Sequence, residues 1–362
     1  MKKSTFLLAA LGTVAGAASA QSSVTMFGVV DLSLRYVNNN DATYQLAQDG
    51  MAGSRLGFRG VEDLGGGLKA SFWLEGGLGP DTGTGSASFG NGGGSTGTTN
   101  AFEFRRRSTL SLSNQWGEIR LGRDYTPTFW NILVFDPFGI NGVGSSANLF
   151  VSAEIRGIAG GSAAYGTLVR ANNAVQYILP NGIFGPGLYG QVMVAAGEAA
   201  LANKFFGGRI GYAAGPFNVA AAYGDTDVDV AGNVKLDNWN VGGSWNFGPA
   251  KLSGFYGSID ISGLAAGNVK QDNWFVAVSA PIGQWNVRAS YGQVKQGGIL
   301  DGNRANEFAV GADYNLSKRT ALYATYGSIQ NTNTAYSVSA TGSALTRGND
   351  SNGAEFGIRH LF

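Results

Sequence analysis

From Val24 to Phe362 the chain alternates apolar and polar residues with a period of two, in segments of roughly ten residues set off by turn residues. That pattern constrains the fold more than any other feature, because period two sends successive side chains to opposite faces of a strand. In the first segment Val24, Met26, Gly28, Val30, Leu32, Leu34 and Tyr36 share one face, and Thr25, Phe27, Val29, Asp31, Ser33 and Arg35 the other. The pattern recurs in Leu68-Ala70-Phe72-Leu74 against Lys69-Ser71-Trp73-Glu75, and in Trp239-Val241-Gly243-Trp245-Phe247 against Asn238-Asn240-Gly242-Ser244-Asn246. The last segment sets Ala354, Phe356, Ile358, His360 and Phe362 against Glu355, Gly357, Arg359 and Leu361. It ends at full strand length on an aromatic residue, as a strand that closes a barrel against the first one would.

Outside the first twenty residues, no apolar run approaches the roughly eighteen residues a membrane helix needs, which excludes a helical membrane protein. A mean hydropathy near zero with 44% hydrophobic residues suits a barrel whose lipid-facing and water-facing residues cancel in any window. Only 14% of residues are charged, against about a quarter in an ordinary soluble domain.

Met1-Lys2-Lys3, the apolar stretch Phe6 to Ala18 and the small residues Ala18-Ser19-Ala20 read as a signal peptide over residues 1–20, so the mature chain, residues 21–362, starts at Gln21. Removing Lys2 and Lys3 leaves 23 basic and 24 acidic residues, a formal charge of −1, and nothing points to a nucleic-acid partner. Without cysteine there are no disulfides and no His/Cys zinc site.

Seven connections are tight, around residues 65–67, 114–116, 182–185, 215–216, 248–249, 281–283 and 316–318. Long polar connections lie between them, including 38–53, the Gly/Ser/Thr tract 79–100, 126–166 and 331–350. This alternation predicts an all-β fold: an up-and-down antiparallel transmembrane β-barrel with short turns in the periplasm and long loops outside. The sixteen expected strands are 24–37, 54–62, 67–78, 102–113, 117–125, 167–179, 187–198, 203–214, 217–228, 236–247, 250–260, 270–280, 284–296, 304–315, 319–330 and 351–362. At that size the interior is too wide for side chains to fill, so the architecture implies a pore.

The strings Ser54-Arg55-Leu56-Gly57-Phe58-Arg59-Gly60-Val61-Glu62-Asp63-Leu64-Gly65-Gly66-Gly67-Leu68-Lys69-Ala70 and Gly117-Glu118-Ile119-Arg120-Leu121-Gly122-Arg123-Asp124-Tyr125-Thr126 resemble the general porins of Gram-negative, especially beta-proteobacterial, outer membranes. So do Tyr314-Asn315-Leu316-Ser317-Lys318-Arg319-Thr320 and Gly357-Ile358-Arg359-His360-Leu361-Phe362. The resemblance runs from the signal peptide to the last residue. It implies a homotrimer of sixteen-stranded barrels in the cell outer membrane, amid lipid and lipopolysaccharide, passively admitting ions and small hydrophilic solutes. It also implies that Phe362 belongs to the signal read by the barrel-assembly machinery. The third loop should fold inward and set acids against wall arginines.

Carried onto this chain, the third loop is residues 126–166, with Asp136-Pro137-Phe138-Gly139 as its tip and Asp136 and Glu154 as the acids expected at the constriction. Strand parity points Arg35, Arg59 and Arg170 to the water side, and arginine stays ionised even when crowded by its own kind. Arg123 shares the parity of the apolar Leu121, so a bulge near Gly122 or a subunit contact must intervene if it is to reach the pore, where the family has an arginine. Arg55 and Lys69 are neighbours on the basic wall. Arg105-Arg106-Arg107 must point to both sides of its strand, and an arginine in mid-membrane lipid costs roughly 2–4 kcal/mol. Several arginines against two loop acids favour anions.

No cofactor is expected, and no enzyme: the single histidine, His360, has no evident nucleophile near it. The glycines at 65–67 and 92–94 precede no helix or Gly-Lys-Ser/Thr and read as turns and loops rather than phosphate sites. The alternatives are a substrate-selective channel for small anionic solutes such as carboxylates or phosphorylated compounds, and a plugged structural barrel or adhesin.

Overall fold

A computed structural model of the chain describes residues 23–86, 101–150, 166–180, 182, 185–197, 204–229, 231, 233–339 and 343–362. The signal peptide assigned to residues 1–20 and Glu154 lie outside these residues. Eighteen strands form one antiparallel sheet. Two of them, Ala42–Gln48 and Thr84–Ser86, are short pieces within the first two long connections. The other sixteen make a closed barrel.

Closure rests on the first strand, Ser23–Asn38, which pairs along Val29–Asn38 with the last strand, Ser351–Leu361, and along Ser23–Val29 with Arg55–Gly65. Phe362 completes it: its N–H donates to the Gly28 carbonyl at 3.1 Å and its carbonyl accepts the Gly28 N–H at 3.0 Å. Each of the sixteen barrel strands is paired on both sides among the described residues, as a membrane barrel requires.

The alternation in sequence becomes two faces in space. Leu34 is 68% exposed on the outer face, whereas its neighbour Arg35 is 9% exposed inside. Phe308 and Glu307 divide the same way. On the outside, Tyr223 stands opposite Trp239, Tyr256 opposite Trp274 and Tyr291 opposite Phe308, forming an aromatic row toward the long loops. A second row, with Phe217–Trp245 and Trp285–Tyr314 at centroid distances of 4.7 and 4.8 Å, lies toward the short turns. Two such girdles mark the interfaces of a lipid bilayer.

Two strand expectations need correction. The first long connection contains the strand Ala42–Gln48, paired with Leu32–Asn38. The fourth barrel strand begins at Arg107 rather than at residue 102, because Arg106 N–H already bonds the Glu75 carbonyl while residues 101–106 run as irregular chain.

The third long connection enters the barrel. It opens with helix α1 (Pro127–Phe135), where Pro127 fits the first helical turn, and stops at Asp136, which Pro137 holds extended. Phe129, Ile132 and Phe135 pack in one apolar cluster with Leu236, Phe255 and Ile259 of the far wall. Asn131 Nδ2 donates to Asn240 Oδ1 at 2.9 Å, and Asn240 Nδ2 donates to the Thr128 carbonyl at 3.1 Å. Beyond the helix, Val143 N–H donates to Glu355 Oε1 at 3.1 Å. The Val143 carbonyl lies 1.9 Å from where a Cβ on Gly327 would stand, so loop and wall touch backbone to backbone. The last long connection, expected outside, also turns in: Tyr336 and Val338 are buried beside Val143 and Leu149, and the Tyr336 hydroxyl donates to Gln271 Oε1 at 2.6 Å.

Candidate functional site

Between α1 and the wall where its loop begins lies a cavity of about 1080 Å³. Its charged border consists of Arg55, Arg106, Arg107 and Arg170 with Asp49, Glu75 and Asp124. The cations come from three neighbouring places in the wall, brought together by strand register: Glu75 stands opposite Arg107, and Tyr125 opposite Arg170.

The wall acids are occupied by arginines. Glu75 accepts Arg106 Nε at 2.7 Å, has Arg55 Nη1 at 3.6 Å, and takes Trp73 Nε1 at 3.1 Å. Asp124 accepts Arg120 Nη1 at 2.7 Å, with Arg107 Nε at 3.5 Å. Arg170 Nη2 donates to the Tyr125 hydroxyl at 2.8 Å, Arg170 Nε donates to the Arg106 carbonyl at 2.8 Å, and its guanidinium lies 4.3 Å from the Tyr125 ring centre. Arg107 lies 4.6 Å from the Trp73 ring centre. Stacking and donation fix these flat groups while keeping their charge beside the water. On the first loop, burial pushes the Asp49 carboxyl up, against the pull of Ser54 N–H and Arg106.

Of the residues expected here from sequence, Arg55 and Arg170 border the cavity. Arg59 is on the inner face, its guanidinium 5.3 and 5.2 Å from the ring centres of Phe27 and Trp73, nearer the short-turn end. Lys69 shares the face of Trp73 and Glu75 by strand parity, farther along toward the same end. Arg35 points inward but is bound to Glu355, with Nη2 at 2.8 Å, and its Nη2 also donates to the Gln48 carbonyl at 3.1 Å. It ties the wall to the first loop instead of bordering the cavity.

Arg123 is a correction. It stands opposite Ser108, on the face where Leu121 and Leu110 stand opposite each other and are exposed. The bulge is present: the register shifts between Gly122 and Asp124, and Gly122 has φ +119°, a conformation L side chains rarely adopt. The extra residue lies on the partner strand, Arg170–Ile178, where Asn172 and Asn173 oppose Arg123, so Arg123 keeps the outward facing of Leu121 and donates to the Arg105 carbonyl and to Asn172 Oδ1, while Asp124 and Tyr125 reach the cavity.

Asp136 is a second correction. Its carboxylate is turned into its own loop, where it accepts N–H groups of Phe138 at 3.0 Å, Ile140 at 2.9 Å and Ser146 at 3.2 Å. Burial pushes its carboxyl up to about 6. It is the one charged residue among the described residues of this loop, so the described loop sets no carboxylate against the arginines. Strand pattern leaves Arg106 and Arg107 undecided and does not assign Glu75 or Asp124, although Glu75 alternates with the apolar Leu74 and shares the face of Lys69.

The model of a Gram-negative porin family matches residues 7–334. The chain is 37% identical over its full length, and that of its relative, to outer membrane porin protein 32 of Delftia acidovorans. It is similar to the solved structure of an anion-selective porin from Comamonas acidovorans, with 34% identity, a TM-score of 0.79, and 94% and 100% of the two chains covered. The trimer form of OmpT, an outer membrane protein of Vibrio cholerae, shares the fold at 16% identity and a TM-score of 0.66, over 94% and 99% of the chains. Closed barrel, inward loop and full-length similarity make this chain an outer-membrane protein of the Gram-negative porin family.

Proposed function

We propose that the porin is a passive diffusion channel that prefers anions and works as a homotrimer. The observation that carries this reading is the cavity border, where Arg55, Arg106, Arg107 and Arg170 face a loop whose one described acid, Asp136, is turned away. In a narrow aqueous passage with low-dielectric walls, fixed charge raises the local concentration of counter-ions and so sets which ion passes. Glu75, Asp124 and Asp49 reduce the positive field of the four arginines without reversing it. The anion-selective Comamonas porin, similar along nearly the whole chain, supports the same direction.

Movement is downhill and needs no cofactor. Residues 1–20 would direct export, Phe362 would be read by the barrel-assembly machinery, and the aromatic rows would sit at the borders of lipid and lipopolysaccharide. The trimer form of the Vibrio protein supports the trimer. The test is single-channel recording in planar bilayers under a KCl gradient. Conductance steps in groups of three with a chloride-favouring potential are expected, and a closed barrel that passes no current would overturn the reading.

A further inference from the structure

The two sides of the passage differ in kind. One is cationic, with Arg55, Arg106, Arg107 and Arg170. The other is the apolar face of α1, which turns Phe129, Trp130 and Leu133 to the same cavity and has no charged residue along Pro127–Phe135. Trp130 and Leu133, three positions apart, share a helical face and stay partly open. On the opposite side Asn240 bonds the Asn131 side chain and the Thr128 carbonyl.

The two sides also meet. Tyr125 stacks on Phe129 at a centroid distance of 4.8 Å and meets Trp130 edge-on at 5.4 Å, while Arg170 lies over the same Tyr125 ring at 4.3 Å. Cationic and aromatic surfaces are therefore one residue apart. Chloride or acetate can use only the first. A ring carrying a carboxylate can use both, removing apolar surface of Trp130 and Leu133 from water while its charge stays among the arginines.

We propose that the passage is a binding step for organic anions with an aromatic body, arylcarboxylates above all, with the carboxylate among Arg55, Arg106 and Arg170 and the ring against Trp130 and Leu133. This rests on the anion-preferring reading and narrows its solute class. The cavity of about 1080 Å³ is larger than such a solute, so the ring is held on one side and released again, as conduction requires.

The test uses the full-length protein in planar bilayers with KCl, and benzoate, acetate and benzylammonium as probes of chloride current. Benzoate is expected to halve the current at about a tenfold lower concentration than acetate, the factor set by partial burial of one ring. Benzylammonium, with the same ring and the opposite charge, should not block at that concentration. Trp130→Ser combined with Leu133→Ser should bring benzoate back to the acetate level; if that variant fails to assemble, the three probes on the unaltered protein decide. Equal block by benzoate and acetate with chloride preference intact would overturn this inference alone. Equal block by benzylammonium and benzoate would overturn it as well, since the arginines would then play no part. A potassium-favouring potential would instead remove the anion-preferring reading on which it rests.

Discussion

Glu75 and Arg106, thirty-one positions apart in the chain, meet in the wall of the passage with Arg106 Nε 2.7 Å from the Glu75 carboxylate. Arg55 approaches the same carboxylate at 3.6 Å, so one acid partly neutralises two of the four arginines that border the cavity. Glu75→Gln should strengthen chloride preference by about two- to fourfold in permeability ratio, the size expected for one charge a few ångströms from the ion path in water. The zero-current potential of the variant under a KCl gradient checks it, and an unchanged or weakened preference would count against Glu75 as a brake on the field.

The contact between Gly327 and the Val143 carbonyl sets how far the third loop reaches across the barrel. A Cβ at Gly327 would stand 1.9 Å from that oxygen, and backbone on both sides leaves no flexible side chain to give way. Gly327→Val should push the loop off the wall. Single-channel conductance should change measurably while the barrel stays resistant to detergent; identical conductance would mean that the loop is held elsewhere.

For Asp136 the sign follows from its raised carboxyl. A carboxyl at about 6 in the folded loop, against the ordinary 3.8, favours the protonated form of the fold. Its contribution to stability is complete below about pH 4 and is lost as pH rises through about 6. The melting temperature of the native protein relative to Asp136→Asn should therefore fall between pH 4 and pH 7. A difference that stays constant over that range would show that Asp136 keeps its ordinary carboxyl.

Phe362 contributes two backbone hydrogen bonds to Gly28 at the seam of the barrel. Deleting Phe362 should lower unfolding stability by about 1–3 kcal/mol, the net value of two such bonds. Urea unfolding in detergent followed by heat-modifiable mobility on gels measures this. Full stability in the deletion variant would mean that the seam does not depend on its last residue.

Most of the wall is legible because period two survives in most strands: Trp239 against Asn240 and Phe308 against Glu307 fall on the faces that alternation assigns. What escaped has physical causes. Ala42–Gln48 lies in a polar stretch, although Tyr44 and Leu46 alternate and both face outward. Parity places Arg123 with Leu121, and the structure agrees with parity against the resemblance; the bulge puts its extra residue on the partner strand, at Asn172 and Asn173, and leaves the facing of Arg123 unchanged. Asp136 was an acid at a loop tip, but Asp-Pro-Phe-Gly is also the signature of a turn whose aspartate binds its own backbone, and that use prevails. Glu75 and Asp124 could not be assigned from strand pattern alone, because their partners Arg106, Arg55 and Arg107 are supplied by cross-strand register and by an irregular segment.

On the proposed reading, the wall arginines, unopposed by the described third loop, set the ion preference. This is tested most directly by the zero-current potential of the purified protein and of Arg106→Gln and Arg170→Gln under the same KCl gradient. A chloride-favouring potential that each replacement moves toward zero is the predicted result. A potassium-favouring potential, or a chloride-favouring one that neither replacement changes, would contradict it.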